Sequence, residues 1–251
     1  MMDILLTNDD GIFSPGIFAI YKKLLKLGKV WVVAPDGERS SVSHGISLTR
    51  PLEVHEVERS GKFFGHALSG TPTDCVKFGA NRILKRLPDL VVSGINAGPN
   101  DGYSVFYSGT VGAAREGALM GTQAVALSVA SFKGTHFDAA ADIGIKVIRQ
   151  LIKNPLAKGS FLNVNIPNRA KGQNKGVLVT HQGEHAFQED YIRREKPYGR
   201  EYFWLSTKAM PKSSDLRVDT AALQNGYVTV TPLQSNLTDL EAVKSWGAMK
   251  W

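Results

Sequence analysis

The chain has 251 residues, 43% of them hydrophobic and 21% charged, with a formal net charge of +7. These values suit a globular enzyme large enough to bury a core. The single cysteine, Cys75, excludes an internal disulfide and a multi-cysteine zinc site. No apolar run reaches about 18 residues, and the acidic start MMDILLTNDDG lacks the basic region of a signal peptide. We therefore expect a cytoplasmic protein without a membrane partner.

The positive charge alone is compatible with nucleic acid, anionic small molecules or simple solubility. The basic residues are spread along the chain, and the densest cluster is Arg193, Arg194, Lys196 and Arg200. No zinc-finger spacing, basic-zipper region or aromatic RNA-binding motif accompanies them. This pattern favours phosphorylated small molecules, and no specific nucleic-acid partner is expected.

The first elements predict a strand, a helix and a second strand within 35 residues, the size of a βαβ unit. The evidence is an apolar run followed by a turn, a helix with end signals, and a second apolar run stopped by proline. In order these are strand 4–7 with turn 8–11, a helix capped by Ser14 with Pro15 at its first position and closed by Gly28, and strand 30–34 before Pro35.

The middle of the chain repeats this alternation. It contains a helix started by Thr71, Pro72 and Asp74 and running to about residue 84, strand 90–93, a small-residue segment 111–120, strand 125–130, a helix over about 138–153, and strand 161–166. The alternating polar residues of 161–166 predict a half-exposed strand. Strands that alternate with helices predict an α/β fold with a mostly parallel sheet.

The last third of the chain differs in composition. Residues 168–225 are polar, although 202–205 resembles an exposed or partner-covered strand. Residues 227–231 predict another strand before Pro232. A structureless stretch as long as 168–225 would be unusual in a monomer. We expect it to be an extension that packs on another subunit.

Oxygen-bearing side chains follow three of the predicted strands. Asp9 and Asp10 follow the first strand, Ser40 lies in the loop after the second, and Asn96 follows strand 90–93. The carboxyl ends of parallel strands share one sheet edge, so these side chains are expected to meet there. Two carboxylates, a hydroxyl and an amide oxygen form the ligand set that Mg²⁺ or Mn²⁺ prefers.

A phosphate monoester fits such a site. A divalent cation would offset the repulsion between the phosphate and two carboxylates, and would lower the pKa of a bound water. Residues 108–110, at a predicted helix start, offer backbone N–H groups for phosphate oxygens. The plainer interpretations remain open at this point: Asp-Asp-Gly as a turn, Ser40 and Asn96 as loop residues, and residues 108–110 as a helix cap.

Several other enzyme classes are excluded by missing motifs. The chain has no G-x-x-x-x-G-K-[ST], no G-x-G-x-x-G and no G-x-S-x-G, which argues against P-loop, dinucleotide-binding and esterase functions. The paired acids are adjacent rather than spaced Asp-x-Asp, which argues against an aspartyl-phosphate enzyme of the haloacid-dehalogenase type.

Taken together, these motifs resemble SurE, the stationary-phase survival protein family of 5′-nucleotidases. The resemblance rests on separate blocks in the right order, which cover nearly the whole chain. The blocks are residues 4–11 (ILLTNDDG), 15–17 (PGI), 33–36 (VAPD) with Arg39 and Ser40, 70–76 (GTPTDCV), 92–100 (VSGINAGPN), 107–113 (YSGTVGA), 163–167 (NVNIP) and 231–233 (TPL).

The resemblance implies a Rossmann-like, three-layer α/β fold. It divides the chain into a core with the metal and phosphate site (1–167), an oligomerisation extension (168–225), and a return strand with a C-terminal helix (226–251). It also implies that a β-hairpin and a helix are exchanged between the subunits of a homodimer or homotetramer.

The resemblance further implies one divalent metal ion per subunit, Mg²⁺ or Mn²⁺, held by Asp9, Asp10, Ser40 and Asn96. The residues implied for substrate and phosphate are Asn8, Asn96, Ser108, Gly109 and Thr110. The expected reaction is hydrolysis of nucleoside 5′- and 3′-monophosphates by a metal-activated water that Asp9 or Asp10 orients. Short polyphosphate is a further substrate to test.

Two alternatives stay open on the sequence. The first is a nucleotide sensor that keeps the phosphate loop without hydrolysis, and the second is a nucleic-acid or polyphosphate binder suggested by the charge. Ala97 and residues 41–44 depart from the family pattern, which leaves the base preference open.

Overall fold

A nine-stranded, mostly parallel sheet forms the centre of this computed structural model, which describes residues 1–133, 135–184, 187–209 and 213–249. The strands of the chain are β1 (Met2–Thr7), β2 (Gly28–Pro35), β3 (Val54–Arg59), β4 (Lys62–Leu68), β5 (Leu90–Ala97), β6 (Gln123–Ala130), β7 (Ser160–Pro167), β8 (Val177–Val179), β9 (Phe187–Glu195), β10 (Glu201–Ala209) and β11 (Val228–Gln234). The order across the large sheet is β3-β4-β2-β1-β5-β6-β7-β11-β8, with antiparallel pairing only of β3 with β4 and of β7 with β11.

Helices cover both faces of this sheet. The α-helices of the described residues are α1 (Pro15–Leu24), α2 (Pro72–Phe78), α3 (Gly109–Leu119), α4 (Phe137–Lys153), α5 (Asp219–Gln224) and α6 (Leu240–Gly247). The core with α1 and α4 lies on one face, and the core with α2 and α3 lies on the other. The three-layer α/β fold predicted from the sequence is therefore confirmed. No helix in the described part of the chain is both long enough and apolar enough to cross a bilayer.

The helix starts follow their predicted caps. The Ser14 hydroxyl accepts the N–H of Ile17 at the start of α1, 3.5 Å away. At α2, the Thr71 hydroxyl accepts the N–H of Asp74 at 3.1 Å, and the Asp74 carboxylate accepts the N–H of Thr71 at 2.9 Å. This reciprocal pair is a capping box, which satisfies two N–H groups that the first turn leaves free.

The predicted end of the first helix was wrong. Helix α1 ends at Leu24, and Gly28 is the first residue of β2 rather than a helix cap. Gly28 has a different physical role, because an added Cβ would lie 2.2 Å from the carbonyl oxygen of Met2. The glycine lets β2 approach β1 closely, which a larger residue would prevent.

The predicted half-exposed strand at 161–166 was also wrong. Strand β7 is buried on both faces, with Asn163 and Asn165 fully buried beside apolar neighbours. Their amides bind the backbone of Asn100, so they are buried polar groups with partners rather than solvent-facing ones. Strand β11 likewise continues through Pro232, which β11 tolerates because β8 pairs only with residues 228–230.

The β3–β4 hairpin was not predicted from the sequence. It extends the sheet beyond β2, where β4 pairs with β2 in parallel. Strand β3 is largely exposed, so its side chains lack the apolar pattern that marks the central strands.

The last third combines core elements with a separate hairpin. Strand β8 pairs with β11 in the large sheet, and α5 packs on β11 and β7. Strands β9 and β10 form their own two-stranded sheet, whose exposed apolar side chains include Tyr191, Ile192, Phe203, Trp204 and Leu205. The domain boundaries at 167 and 225 stay predictions, and residues 250 and 251 lie outside the described residues.

Candidate functional site

Three loops converge at the carboxyl edge of β1, β2 and β5. The N–H of Arg39, beside Ser40, donates to the carbonyl oxygen of Asp9 at 2.8 Å. The N–H of Ala97, beside Asn96, donates to Oδ2 of Asp10 at 3.1 Å. Hydrogen bonds from these two backbone N–H groups thus join the segments that carry the four predicted metal ligands.

Asp9 is held by the start of α3. It is 5% exposed, and its Oδ2 accepts the Thr110 N–H at 3.1 Å. The Thr110 hydroxyl donates a very short hydrogen bond to Oδ1. The positive end of the α3 dipole also faces this carboxylate, which favours its charge. Both oxygens of Asp9 therefore have donors from the same residue.

Asp10 has a more open environment. It is partly exposed, and its Oδ2 accepts the Ala97 N–H, whereas Oδ1 has no hydrogen-bond partner among the described residues. Asp10 therefore keeps one carboxylate oxygen available for a ligand or a water molecule.

Both carboxylates have pKa values above the ordinary range. Burial raises the pKa of Asp9, and the hydrogen bonds from Thr110 oppose that rise. Burial, and secondarily the charge of Asp9, raises the pKa of Asp10 to about 6. Within the described residues, neither carboxylate forms an ion pair with a lysine or arginine. A cation at this position would remove the repulsion.

Glu38 is a site residue that the sequence reasoning missed. Its Oε1 accepts the hydroxyl of Ser40 at 2.6 Å, and its negative charge raises the pKa values of both Asp9 and Asp10. The sequence does show an acid two residues before Ser40, but only the folded loop places it beside the aspartates. Ser40 keeps its oxygen lone pairs free while its hydrogen points to Glu38.

Asn96 is oriented by its own loop. Its Nδ2 donates to the carbonyl oxygen of Gly98 at 2.8 Å. This bond uses the amide nitrogen and leaves Oδ1 as the acceptor available to a cation. The segment is also paired with β6, where Asn96 stands opposite Ser128.

The predicted phosphate loop, residues 108–110, forms the N-terminus of α3. The Ser108 hydroxyl accepts the N–H of Val111 at 3.1 Å, so Ser108 caps the helix. The N–H and the hydroxyl of Thr110 both donate to Asp9. The N–H of Gly109 donates to no described residue, and a helix N-terminus with a free N–H favours an anion.

Gly109 also lies unusually close to the acid pair. An added Cβ would be 3.1 Å from Cβ of Asp9 and 3.2 Å from its Oδ2. An alanine would therefore require Asp9, Val42 or α3 to shift by a few tenths of an ångström.

Asn8 supports the turn rather than facing a ligand. Its Nδ2 donates to the carbonyl oxygen of Gly11 at 2.9 Å and to the hydroxyl of Ser14 at 2.8 Å. Both amide hydrogens are thereby used, and the buried Oδ1 is an acceptor that an anion would repel. Asn8 fixes the Asp9–Asp10 turn to the start of α1.

The donor set suits a hard divalent cation. No group of three or more His, Cys, Asp or Glu side chains in the described ranges could hold a metal ion. A cation at the acid pair would therefore take two carboxylates plus neutral oxygens. Mg²⁺ and Mn²⁺ accept such a set with water in the remaining positions, whereas zinc and copper favour nitrogen or sulfur.

The fold and the site together define a Rossmann-like α/β protein with paired carboxylates and a helix N-terminus at one sheet edge. Residues 4–189 match the family described as "Survival protein SurE". The chain is 44% identical over 250 residues to "5′-nucleotidase SurE" of Syntrophobacter fumaroxidans, covering 100% of this chain and 99% of that protein. It is also 44% identical to the protein of the same name from Pelobacter propionicus, with 97% of each chain covered.

A solved structure agrees with these relatives. The SurE protein from Aquifex aeolicus superimposes with a TM-score of 0.87 and 38% sequence identity, over 97% of each chain. The chain belongs to the SurE family. The family resemblance inferred from the sequence motifs is confirmed.

Proposed function

We propose that this protein is a 5′-nucleotidase that hydrolyses nucleoside monophosphates to nucleoside and phosphate. Relatives of 39 to 44% identity that match nearly the whole chain bear the name 5′-nucleotidase SurE. The single observation that carries the proposal is the carboxylate pair of buried Asp9 and partly exposed Asp10, which forms no ion pair with a lysine or arginine of the described residues and lies beside the N-terminus of α3. Such a site accepts a cation and a phosphate together, as a phosphomonoesterase requires.

The residues that would hold the metal are Asp9, Asp10, Ser40 and Asn96. One divalent ion per subunit, Mg²⁺ or Mn²⁺, would polarise the phosphoryl oxygen and lower the pKa of a bound water. Asn96 would bind through Oδ1, because its nitrogen is used by Gly98. Glu38 would add negative charge beside the metal and hold the Ser40 hydroxyl by a hydrogen bond.

The two aspartates have different parts in the proposed reaction. Asp9 has both oxygens bonded to Thr110 and serves as the fixed carboxylate. Asp10 has a free Oδ1, which can accept a hydrogen bond from the attacking water and orient it toward phosphorus. The N–H of Gly109 and the α3 dipole would hold the phosphate oxygens, with Ser108 and Thr110 maintaining the helix start.

The test replaces the acids without changing their shape. Asp9→Asn and Asp10→Asn should each lower the turnover of AMP with Mn²⁺ by about 100-fold or more, because a neutral amide neither binds the cation nor orients water as a carboxylate does. Asp138→Asn, an exposed acid of α4, is the matched control and should keep full activity. Near-normal turnover of both site variants would exclude this assignment.

The same assay separates the remaining alternatives. Binding of AMP without release of phosphate over hours would favour a nucleotide sensor. Parallel reactions with 3′-AMP and tripolyphosphate define whether the activity extends to 3′-nucleotides and to short polyphosphate.

We further propose that the protein acts in the cytoplasm as a homodimer or homotetramer. The support is the β9–β10 hairpin, which exposes apolar side chains on both of its faces. Helix α6 adds exposed Leu240, Val243 and Trp246, three residues apart along the helix. A second copy that exchanges these elements would cover them.

A further inference from the structure

The loop after β5 is clamped by side chains from β7. Oδ1 of Asn165 accepts the N–H of Asn100 at 2.7 Å, and Nδ2 of Asn165 donates to the carbonyl oxygen of Asn100 at 3.2 Å. Nδ2 of Asn163 donates to the same carbonyl oxygen at 2.7 Å. The Asn165 amide thus pairs with the Asn100 backbone much as a neighbouring strand would.

A third side chain completes this clamp. Nδ2 of Asn100 donates to the hydroxyl of Ser128 in β6 at 2.8 Å. Ser128 stands opposite Asn165 in the sheet register, and Ser128, Asn163 and Asn165 are all fully buried. We call Ser128, Asn163 and Asn165 the Asn100 clamp.

The clamped loop directly follows one proposed metal ligand and a contact to another. It follows Asn96 and Ala97, the last two residues of β5, and Gly98 donates its N–H to the carbonyl oxygen of Val129 at 2.9 Å. Ala97 donates its N–H to Oδ2 of Asp10. With Asn100 fixed at the far end, the loop has little freedom to move Asn96 or Ala97 away from Asp10.

Stability alone does not account for these asparagines. Apolar side chains in the middle of a sheet would avoid the cost of burying amides. Oδ1 of Asn163 is buried without a hydrogen-bond partner among the described residues, which is itself destabilising. The arrangement is explained if the geometry of the loop matters more than the free energy of unfolding.

We propose that Asn163 and Asn165 are positioning residues that set the affinity of the site for its divalent metal. By holding Asn100, they keep Oδ1 of Asn96 and the N–H of Ala97 in place against Asp10. The inference rests on the proposed metal site and deepens it. Groups that orient metal ligands from outside the coordination shell typically change metal affinity by about 10- to 100-fold.

The test measures Mn²⁺ binding to the full-length protein, using the electron paramagnetic resonance signal of free Mn²⁺. Asn163→Val and Asn165→Val replace each amide by an apolar side chain of similar volume. Each should raise the dissociation constant for Mn²⁺ about 10-fold. The matched control is Thr229→Val. Thr229 stands opposite Asn165 in the register of β11 and β7, is fully buried, and has a hydroxyl without a partner. The Mn²⁺ affinity of this variant should stay within about twofold of the original, since the Thr229 hydroxyl forms no hydrogen bond to the loop among the described residues.

Kinetics distinguish positioning from general loss of structure. At saturating Mn²⁺, the asparagine variants should regain most of their kcat with an unchanged KM for AMP, while needing more Mn²⁺ for half-maximal rate. Equal Mn²⁺ affinity in the original and both asparagine variants would overturn the proposal, as would an equal loss in Thr229→Val. If the original protein bound no Mn²⁺, the proposed metal site itself would be wrong.

A milder variant keeps the proposal testable if the valine variants do not fold. Ser128→Ala removes only the side-chain bond to Asn100. A dissociation constant raised about two- to threefold supports the clamp, because a single neutral hydrogen bond makes only a modest net contribution. An unchanged constant in folded Ser128→Ala protein contradicts it.

Discussion

Asp9 and Asp10 are neighbours in the chain, yet the fold gives them different surroundings. Asp9 is buried with both oxygens bonded to Thr110, whereas Asp10 has a free oxygen and a pKa raised to about 6. The difference arises because Asp9 faces the start of α3, whereas Asp10 contacts the end of β5 through Ala97. One acid therefore suits a fixed ligand, and the other suits contact with water.

The close packing of Gly109 on Asp9 makes a residue-scale prediction. Gly109→Ala should lower AMP turnover about 10-fold or more, because the new Cβ would lie 3.1 to 3.2 Å from Asp9 atoms and must displace the carboxylate or α3. Small misplacements of site groups have large kinetic effects. The measurement is kcat with Mn²⁺, together with the melting temperature to show that the variant is folded.

Gly37→Ala is the control for that substitution. Gly37 belongs to the loop after β2, and an added Cβ there would meet nothing within 4 Å. It should therefore retain near-normal activity. If Gly109→Ala turned over AMP as fast as Gly37→Ala, the contact with Asp9 would not matter for catalysis.

The sequence predicted which residues follow the strands, but it did not predict the hydrogen bonds between their side chains. Asp9, Asp10, Ser40 and Asn96 lie in loops of one sheet edge, as parallel strand order requires. The bond between Thr110 and Asp9 joins residues 101 positions apart, so no local pattern reveals it. Glu38 was missed for the same reason, since its effect depends on how the loop after β2 folds.

Two buried acids join the loop after β5 to α5. The Asp219 carboxylate accepts the N–H groups of Gly102 at 3.1 Å and Gly183 at 2.8 Å. Asp101 lies nearby with a buried, unpartnered Oδ1. Burial, and secondarily the charge of Asp219, raises the pKa of Asp101 to about 6. The contact between these two elements is therefore sensitive to pH.

This pair makes an element-scale prediction about stability. The pKa of Asp101 is higher in the folded than in the unfolded protein, so folding favours the protonated form, and stability falls as pH rises from about 4 to 6. Asp101→Asn should therefore leave the melting temperature almost unchanged at pH 3, where Asp101 is mostly protonated in both the folded and the unfolded protein. At pH 8 it should stabilise the fold by about 3 kcal/mol, since the pKa rises from 3.8 to about 6 and each pKa unit corresponds to about 1.4 kcal/mol.

Thermal unfolding at both pH values checks this expectation. Asp215→Asn is a suitable control, because Asp215 is a partly exposed acid whose pKa is lowered by Arg217. It should show no stabilisation at pH 8. An Asp101→Asn variant that is less stable at pH 8 would mean that the charge of Asp101 is used by a favourable contact.

At the element scale, prediction depended on how a strand is buried. The central strands β1, β5 and β6 carry continuous apolar runs, and their burial confirms the sequence pattern. The predicted exposure of β7 was wrong because its asparagines have buried hydrogen-bond partners in the loop after β5. The β3–β4 hairpin was not predicted because an exposed edge strand needs no apolar pattern.

At the scale of the whole molecule, the hairpin leaves large apolar side chains without cover. Trp204 is 65% exposed and stands opposite Ile192, while Tyr191 stands opposite Leu205, so apolar groups occupy both faces of the two-stranded sheet. A two-stranded hairpin is marginal in isolation and gains stability when another surface packs on it. An interface between copies of this chain would provide that surface.

Trp204→Glu should therefore dissociate the proposed dimer or tetramer, because a buried charge without a partner is strongly unfavourable in an interface. Sedimentation equilibrium should give a multiple of the 27.3 kDa chain for the original protein and a smaller mass for the variant. Leu87→Glu changes another half-exposed apolar residue outside the hairpin and should keep the original mass. If the unaltered protein sedimented as a monomer at micromolar concentration, the exposed hairpin would need an occupant other than a second copy.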